Sequence, residues 1–224
     1  MAETWGMPRR KAARLNADTA KTEGAKKGKS SHRRKTAVCE ISDRTLCRRA
    51  WGVQKLLECI GMNPVNDGTS LHIMTGGNVD TLSMLKGLLL HIKRIKRLLI
   101  STWVISSEDV LQLDEYLRGG VIENLEVYVG EIYPSQYKVE WQMLRETMAK
   151  HNQERLCYFA NHAKVMAVEA ADGGKYVIES SANLNTNPRN ENCIITKSDE
   201  LCDFYFDYYK DIRSYNYEEV QGDV

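Results

Sequence analysis

The residues best suited to chemistry lie between 162 and 191. His162 and Lys164 are separated by one residue, Ser181 and Asn183 likewise, and Glu191 follows. Side chains on a strand alternate between faces, so His162 and Lys164 share one face if the segment from Ala163 to Ala170 is extended. Asp172-Gly173-Gly174 reads as a hairpin turn, and the returning strand brings Ser181 and Asn183 beside the first pair. One face then carries an imidazole, an ammonium, a hydroxyl and a carboxamide. That set suits a phosphodiester, offering a nucleophile, a cation for the non-bridging oxygens and neutral donors. A lone His-x-Lys on a strand reads as a solvated edge, and Ser-Ser-Ala-Asn-Leu-Asn as a polar loop; only their joint occurrence across a hairpin speaks for a site.

The elements that position these residues alternate along the chain. Ser42-Asp43 and the apolar residues to Leu57 predict a short capped helix ending near Gly61 and Pro64. A strand over Ser70–Met74 and a turn at Thr75-Gly76-Gly77-Asn78 come next. Val79, Leu82, Leu85, Leu88, Leu89, Ile92 and Ile95 keep helical spacing. The pattern then predicts a strand over Leu98–Ile105, a helix from Ser106 to Gly119-Gly120, a strand over Leu125–Val129 and a helix over Pro134–His151. Strands over Arg155–Ala160, Ala163–Ala170, Lys175–Glu179 and Cys193–Thr196 precede an aromatic helix over Ser198–Ile212. This order predicts an α/β single domain, a layered mixed β-sheet flanked by helices. The Thr75 turn matches no nucleotide-binding fingerprint and reads as a strand-to-helix connection.

The stretch from His162 to Glu191 resembles the signature of the phospholipase D superfamily: His-x-Lys with a downstream acid, then Gly-Ser-x-Asn and a later acid. Two positions depart from it. Glu169 stands where the family has Asp, and Ser180 stands where it has Gly. The resemblance implies a phospholipase D-like domain over residues 38–224, with its motif region at 155–196. It implies a metal-independent phosphodiesterase without cofactor, in which His162 forms a phosphohistidine, Lys164, Ser181 and Asn183 hold the phosphate, Glu191 fixes the second ring nitrogen of His162, and Glu169 supports the strand. Family members assemble each site from two such motifs. A chain with one motif is therefore expected to act as a homodimer, each copy giving His162, Lys164 and Asn183. His72, His91 and His151 are scattered and read as structural or solvated.

Charge separates the chain into two parts. Residues 1–37 hold eleven Lys/Arg against three Asp/Glu, whereas the remainder holds twenty against twenty-seven. With almost nothing large and apolar beyond Trp5 and Leu15, residues 1–37 read as a disordered basic arm. That arm fits a DNA or RNA partner, since each cation set on a phosphate adds salt-dependent affinity; a solubilising tail is the other reading. No apolar run approaches the roughly 18 to 20 residues of a membrane span, and Met1–Ala20 has no secretory core, so a cytoplasmic protein without stable membrane insertion is expected. The six cysteines form no CxxC pair and read as free thiols filling the core. Two functions follow: a DNA or RNA endonuclease, or a catalytically weak relative that binds nucleic acid or serves as an assembly component. Hydrolysis of phospholipid lacks an apolar segment to seat on a bilayer.

Overall fold

A computed structural model describes residues 54–214 apart from 63, 77, 78, 154 and 186–188. All of them belong to one compact unit, Ser42–Val224. The expected basic arm, the start of the first helix, part of the Thr75 turn, Cys39 and Cys47 lie outside the described residues.

Helix α1 is described over residues 54–62. It is followed by β1 (Ser70–Thr75), α2 (Thr81–Ile92), β2 (Ile95–Ser101), α3 (Ser107–Arg118), β3 (Ile122–Gly130), α4 (Tyr133–Gln136), α5 (Lys138–Lys150), β4 (Arg155–Phe159), β5 (Val165–Ala170), β6 (Lys175–Ser180), β7 (Glu191–Lys197) and α6 (Asp199–Tyr209). The seven strands form one sheet in the order β1-β7-β6-β5-β2-β3-β4. β2–β3 and β3–β4 are parallel, as crossovers through helices require, while β1–β7, β7–β6, β6–β5 and β5–β2 are antiparallel. The α/β class and the mixed sheet are as the pattern predicts.

Strand alternation sorts the core onto two faces. Leu98, Ile100, Met166, Val168 and Ile178 pack beneath α1, α2, α3 and α5, through residues such as Ile60, Leu85, Leu113 and Leu144. Leu99, Val165, Ala167 and Val177 point the other way, where Cys202, Phe206 and Tyr209 of α6 cover them. Helices α2, α3 and α6 begin on side-chain caps. Asp80 accepts from Ser83 N at 2.8 Å, Ser106 from Asp109 N at 3.3 Å and Ser198 from Leu201 N at 3.2 Å.

Of the boundaries that differ from the pattern, four bear on the site or have a local cause. Ile95, assigned by its spacing to the preceding helix, opens β2, because Lys93 turns left-handed at φ 56° and ends α2. β2 stops at Ser101 instead of Ile105: Thr102 N and Trp103 O still bond Tyr128 O and Gly130 N of β3, but Trp103 N and the Thr102 hydroxyl turn to Asn183 Oδ1. The helix expected over Pro134–His151 breaks at Tyr137 (φ −116°, ψ 53°) into α4 and α5. Finally, β5 begins at Val165, so His162 and Lys164 sit in an irregular segment ahead of the strand.

Among the described residues Cys157, Cys193 and Cys202 are free thiols, as expected, with one correction to the role of the cysteines. Cys157, Cys193 and Cys202 fill the core, and burial pushes Cys193 up to about 12 and Cys202 up to about 11. Cys59 is exposed on α1, beside the buried stripe of Leu56 and Ile60.

Candidate active site

Antiparallel pairing brings the C-terminal ends of β2 and β6 and the N-terminal ends of β5 and β7 to one end of the sheet. Ser101 lies opposite Val165, Val165 opposite Glu179, and Ser180 opposite Cys193. Parallel pairing with β2 adds the end of β3, at Gly130. His162, Lys164, Ser181, Asn183 and Glu191 all flank these strand ends.

The His-x-Lys segment is held by Asn161, which is 5% exposed. Its Nδ2 donates to Ser101 Oγ at 3.0 Å, Tyr128 O at 3.1 Å and Thr102 O at 3.3 Å. Its Oδ1 accepts from Ala163 N at 3.1 Å, closing a tight turn around His162. Tyr209 OH of α6 braces the same Ser101 hydroxyl from the other face at 2.7 Å. The expected shared strand face is thus replaced by this turn. It still brings the pair together: Lys164 Nζ lies 3.0 Å from His162 Nδ1, 3.4 Å from Nε2 and 2.6 Å from His162 O.

Lys164 is only 9% exposed, whereas His162 is exposed. Burial holds the Lys164 ammonium below the usual lysine range, and the Glu191 charge partly restores it. A charged lysine has no lone pair, so the ring nitrogen facing it accepts.

The second half of the site is a loop fastened to the first. Asn183 Oδ1 accepts from Trp103 N at 3.3 Å and Thr102 Oγ1 at 3.4 Å. This fixes the carboxamide with its oxygen inward and leaves its NH2 group as the end suited to donate to a ligand. Thr81, at the start of α2, donates through Oγ1 to Ala182 O at 2.5 Å. Ser181 Oγ donates to Glu191 and accepts from Asn192 N at 3.1 Å. The resemblance sets Glu191 on the imidazole; in this structure its carboxylate takes the Ser181 hydroxyl, and Lys164 faces the ring.

Ser180 has its own reason to differ from Gly. Among the described non-glycine residues only Lys93 and Asn152 have positive φ, so position 180 does not need glycine's freedom. The Ser180 hydroxyl accepts from Ala182 N at 3.0 Å and donates to Asn192 O at 3.1 Å, pinning the loop from both sides.

Glu169 is not brought to the site. It pairs with Arg97 and Lys175 in register near the Asp172 turn, roughly 13 Å along β5 from Val165. Its carboxylate takes Lys96 Nζ at 2.7 Å, on the surface. Two residues that the sequence reading passed over do belong here, Asn161 and Trp103. The only signal for Asn161 was its place next to His162, and for Trp103 its place just beyond an apolar strand. Of the remaining described histidines, His91 bonds Ile60 O at 2.8 Å and His151 bonds Asp114 at 2.7 Å, both away from the site, while His72 is exposed on β1. No group of three or more His, Cys, Asp or Glu suited to a metal ion occurs among the described residues. No described helix is long and apolar enough to cross a membrane.

No protein-family model matches the chain, and no curated protein matches it in sequence. Among solved structures the chain is similar to yeast tyrosyl-DNA phosphodiesterase, at 13% identity and a TM-score of 0.37, covering 57% of this chain and 32% of that one. A point mutant of the yeast enzyme aligns at 16% identity and a TM-score of 0.31, over 46% of this chain and 25% of that one. The chain spans about a third of that enzyme's length.

Proposed function

We propose that the chain is a metal-independent phosphodiesterase of the phospholipase D type, acting as a DNA or RNA endonuclease at a site shared by two copies. The observation that carries this reading is the pairing of a nearly buried Lys164 ammonium with the exposed His162 imidazole, beside the Ser181–Asn183 loop. A lysine in that position costs desolvation, and an anion placed on it recovers that cost.

The residues divide the work as follows. An incoming phosphodiester draws Lys164 Nζ off the ring and onto a non-bridging oxygen. Nδ1 of His162, freed from the ammonium, takes up a proton from water as Nε2 gives its own to water, and Nε2 is left with the lone pair that attacks phosphorus. The new N–P bond forms as the P–O bond to the leaving group breaks, and His162 of the second copy, protonated, gives its proton to that oxygen. Water next attacks the phosphohistidine, and the second imidazole takes the water's proton, so both rings return to their starting states. Lys164 and the NH2 of Asn183, from both copies, meet the charge that builds on the non-bridging oxygens. Ser181 supplies a further donor, and Glu191 holds the hydroxyl and the local charge in place. Attraction to the nucleic acid comes mainly from the eleven cations of residues 1–37, since the rest of the chain carries an excess of acids.

The test is cleavage of plasmid DNA, single-stranded RNA and bis-p-nitrophenyl phosphate in excess EDTA, with wild type beside His162→Ala, and sedimentation of both. Cleavage that survives chelation, disappears in the variant and comes from a dimer is expected. A folded dimer that binds nucleic acid and cleaves nothing would replace this reading with that of a binding or assembly protein; an active monomer would remove the shared site.

A further inference from the structure

Trp103 has a setting that the phosphodiester chemistry does not require. It follows β2 directly, and its backbone is tied on both sides, with N–H to Asn183 Oδ1 at 3.3 Å and O accepting from Gly130 N at 3.0 Å. The indole packs over Gly130, where a Cβ would overlap Trp103 Cδ1 and lie 2.9 Å from Nε1. The absence of a side chain at residue 130 is what seats the ring there. Part of the indole joins the main core, yet the residue is only half-buried. Its ring centroid lies 5.3 Å from that of the exposed His162, with the planes inclined at 53°. A large, rigid aromatic surface thus borders the nucleophile and shares Asn183 with the phosphate-binding loop.

We infer that Trp103 is a stacking platform for an unpaired nucleobase next to the scissile phosphate, so that the preferred substrate is single-stranded or locally opened nucleic acid. The inference rests on the phosphodiesterase reading for its phosphate and adds the substrate's second recognised group. The chemistry that fits an ammonium, a carboxamide donor and an indole side by side is a phosphate linked to a planar aromatic group. A nucleotide provides that combination, whereas the aliphatic arms of a lipid diester give the indole nothing to stack on. In an intact duplex the base's faces are taken by its neighbours. Stacking on an aromatic side chain tolerates any base, so the platform confers preference for strandedness and not for sequence.

The test uses the full chain, in an inactive His162→Ala background for binding and with His162 intact for cleavage. Affinity is measured by fluorescence anisotropy for a labelled deoxyoligonucleotide and for a strand of equal length whose nucleosides are replaced by tetrahydrofuran spacers. Both strands carry the same phosphates, so residues 1–37 contribute equally to each. The base-bearing strand is expected to bind roughly 5- to 150-fold tighter. Trp103→Ala should abolish most of that ratio while sparing the spacer strand and the intact duplex, and Trp103→Phe should retain part of it. Should Trp103→Ala fail to fold, Gly130→Ala, which displaces the ring without removing any side chain, is expected to reduce the ratio in the same direction. A ratio unchanged by these substitutions, or equal weakening on both strands, would overturn the inference and leave Trp103 as a wall for the imidazole. Cleavage is read separately: binding that follows this pattern without turnover of any strand by the His162-intact chain would sink the phosphodiesterase reading and keep the platform.

Discussion

Asn161→Ala is the substitution whose cost the structure specifies most closely. The change removes three donated hydrogen bonds and the two accepted at Oδ1, from Ala163 N at 3.1 Å and Ser101 Oγ at 3.3 Å. Two of the partners are partly compensated: Ser101 Oγ keeps Tyr209 OH at 2.7 Å, and Tyr128 O keeps Thr102 N at 3.0 Å. Thr102 O and Ala163 N have no other hydrogen bond among the described residues. A buried polar group left without a partner costs about 1–3 kcal/mol, so the loss should be roughly 2–6 kcal/mol, against a total stability of about 5–15 kcal/mol for a domain. Urea unfolding followed by circular dichroism measures it, as a lower midpoint at unchanged slope. Turnover of the folded fraction should fall as well, because Ala163 N is the anchor that closes the turn carrying His162. Asn161→Asp sets a carboxylate oxygen against Thr102 O and Tyr128 O, which raises its folded pKa above the unfolded value. Its stability is therefore greatest at low pH and is lost as the pH rises through the folded value. A loss below about 1 kcal/mol for Asn161→Ala, with wild-type turnover, would refute the role given to this side chain.

Other predictions can be checked with the same protein. Lys164, held below the usual lysine range by burial, should give kcat/KM an alkaline limb below that of an ordinary lysine, and bound substrate should move the limb in kcat upward. Because the folded state disfavours the charged form, Lys164 subtracts stability at neutral pH and the penalty disappears as the pH rises through its folded value; Lys164→Met should remove that pH dependence from thermal melts and abolish turnover. Ser180→Gly restores the family pattern yet deletes two hydrogen bonds, so it should cost about 1–2 kcal/mol in urea unfolding without raising kcat. Glu169→Ala should cost no more than about 1 kcal/mol, the usual worth of a surface ion pair, and leave cleavage within twofold of wild type.

Much of this molecule is determined by local pattern. The alternation of apolar residues assigns the strands, and the caps at Asp80, Ser106 and Ser198 start the helices. The Asp172 turn, with Gly173 at φ 92°, returns β6 antiparallel to β5. Given that hairpin, the spacing of His162, Lys164, Ser181 and Asn183 drew the two pairs together, but on a shared strand face, whereas all four lie in segments just beyond the ends of β5 and β6. Tertiary structure decided how they get there. The turn at His162 depends on Asn161 reaching Ser101 and Tyr128, and the end of β2 depends on Trp103 and Thr102 reaching Asn183; no periodicity records such partners, because they lie tens of residues apart in the chain. Glu169 illustrates the converse, since its place in the motif implied only support of the strand, and its register on β5, opposite Arg97, sets its carboxylate on Lys96. Side-chain type and short-range spacing are written into the sequence because they act through neighbouring dihedrals. Burial of a lysine beside a histidine, and a tryptophan seated on a glycine two strands' length away, arise only when the sheet closes and water leaves.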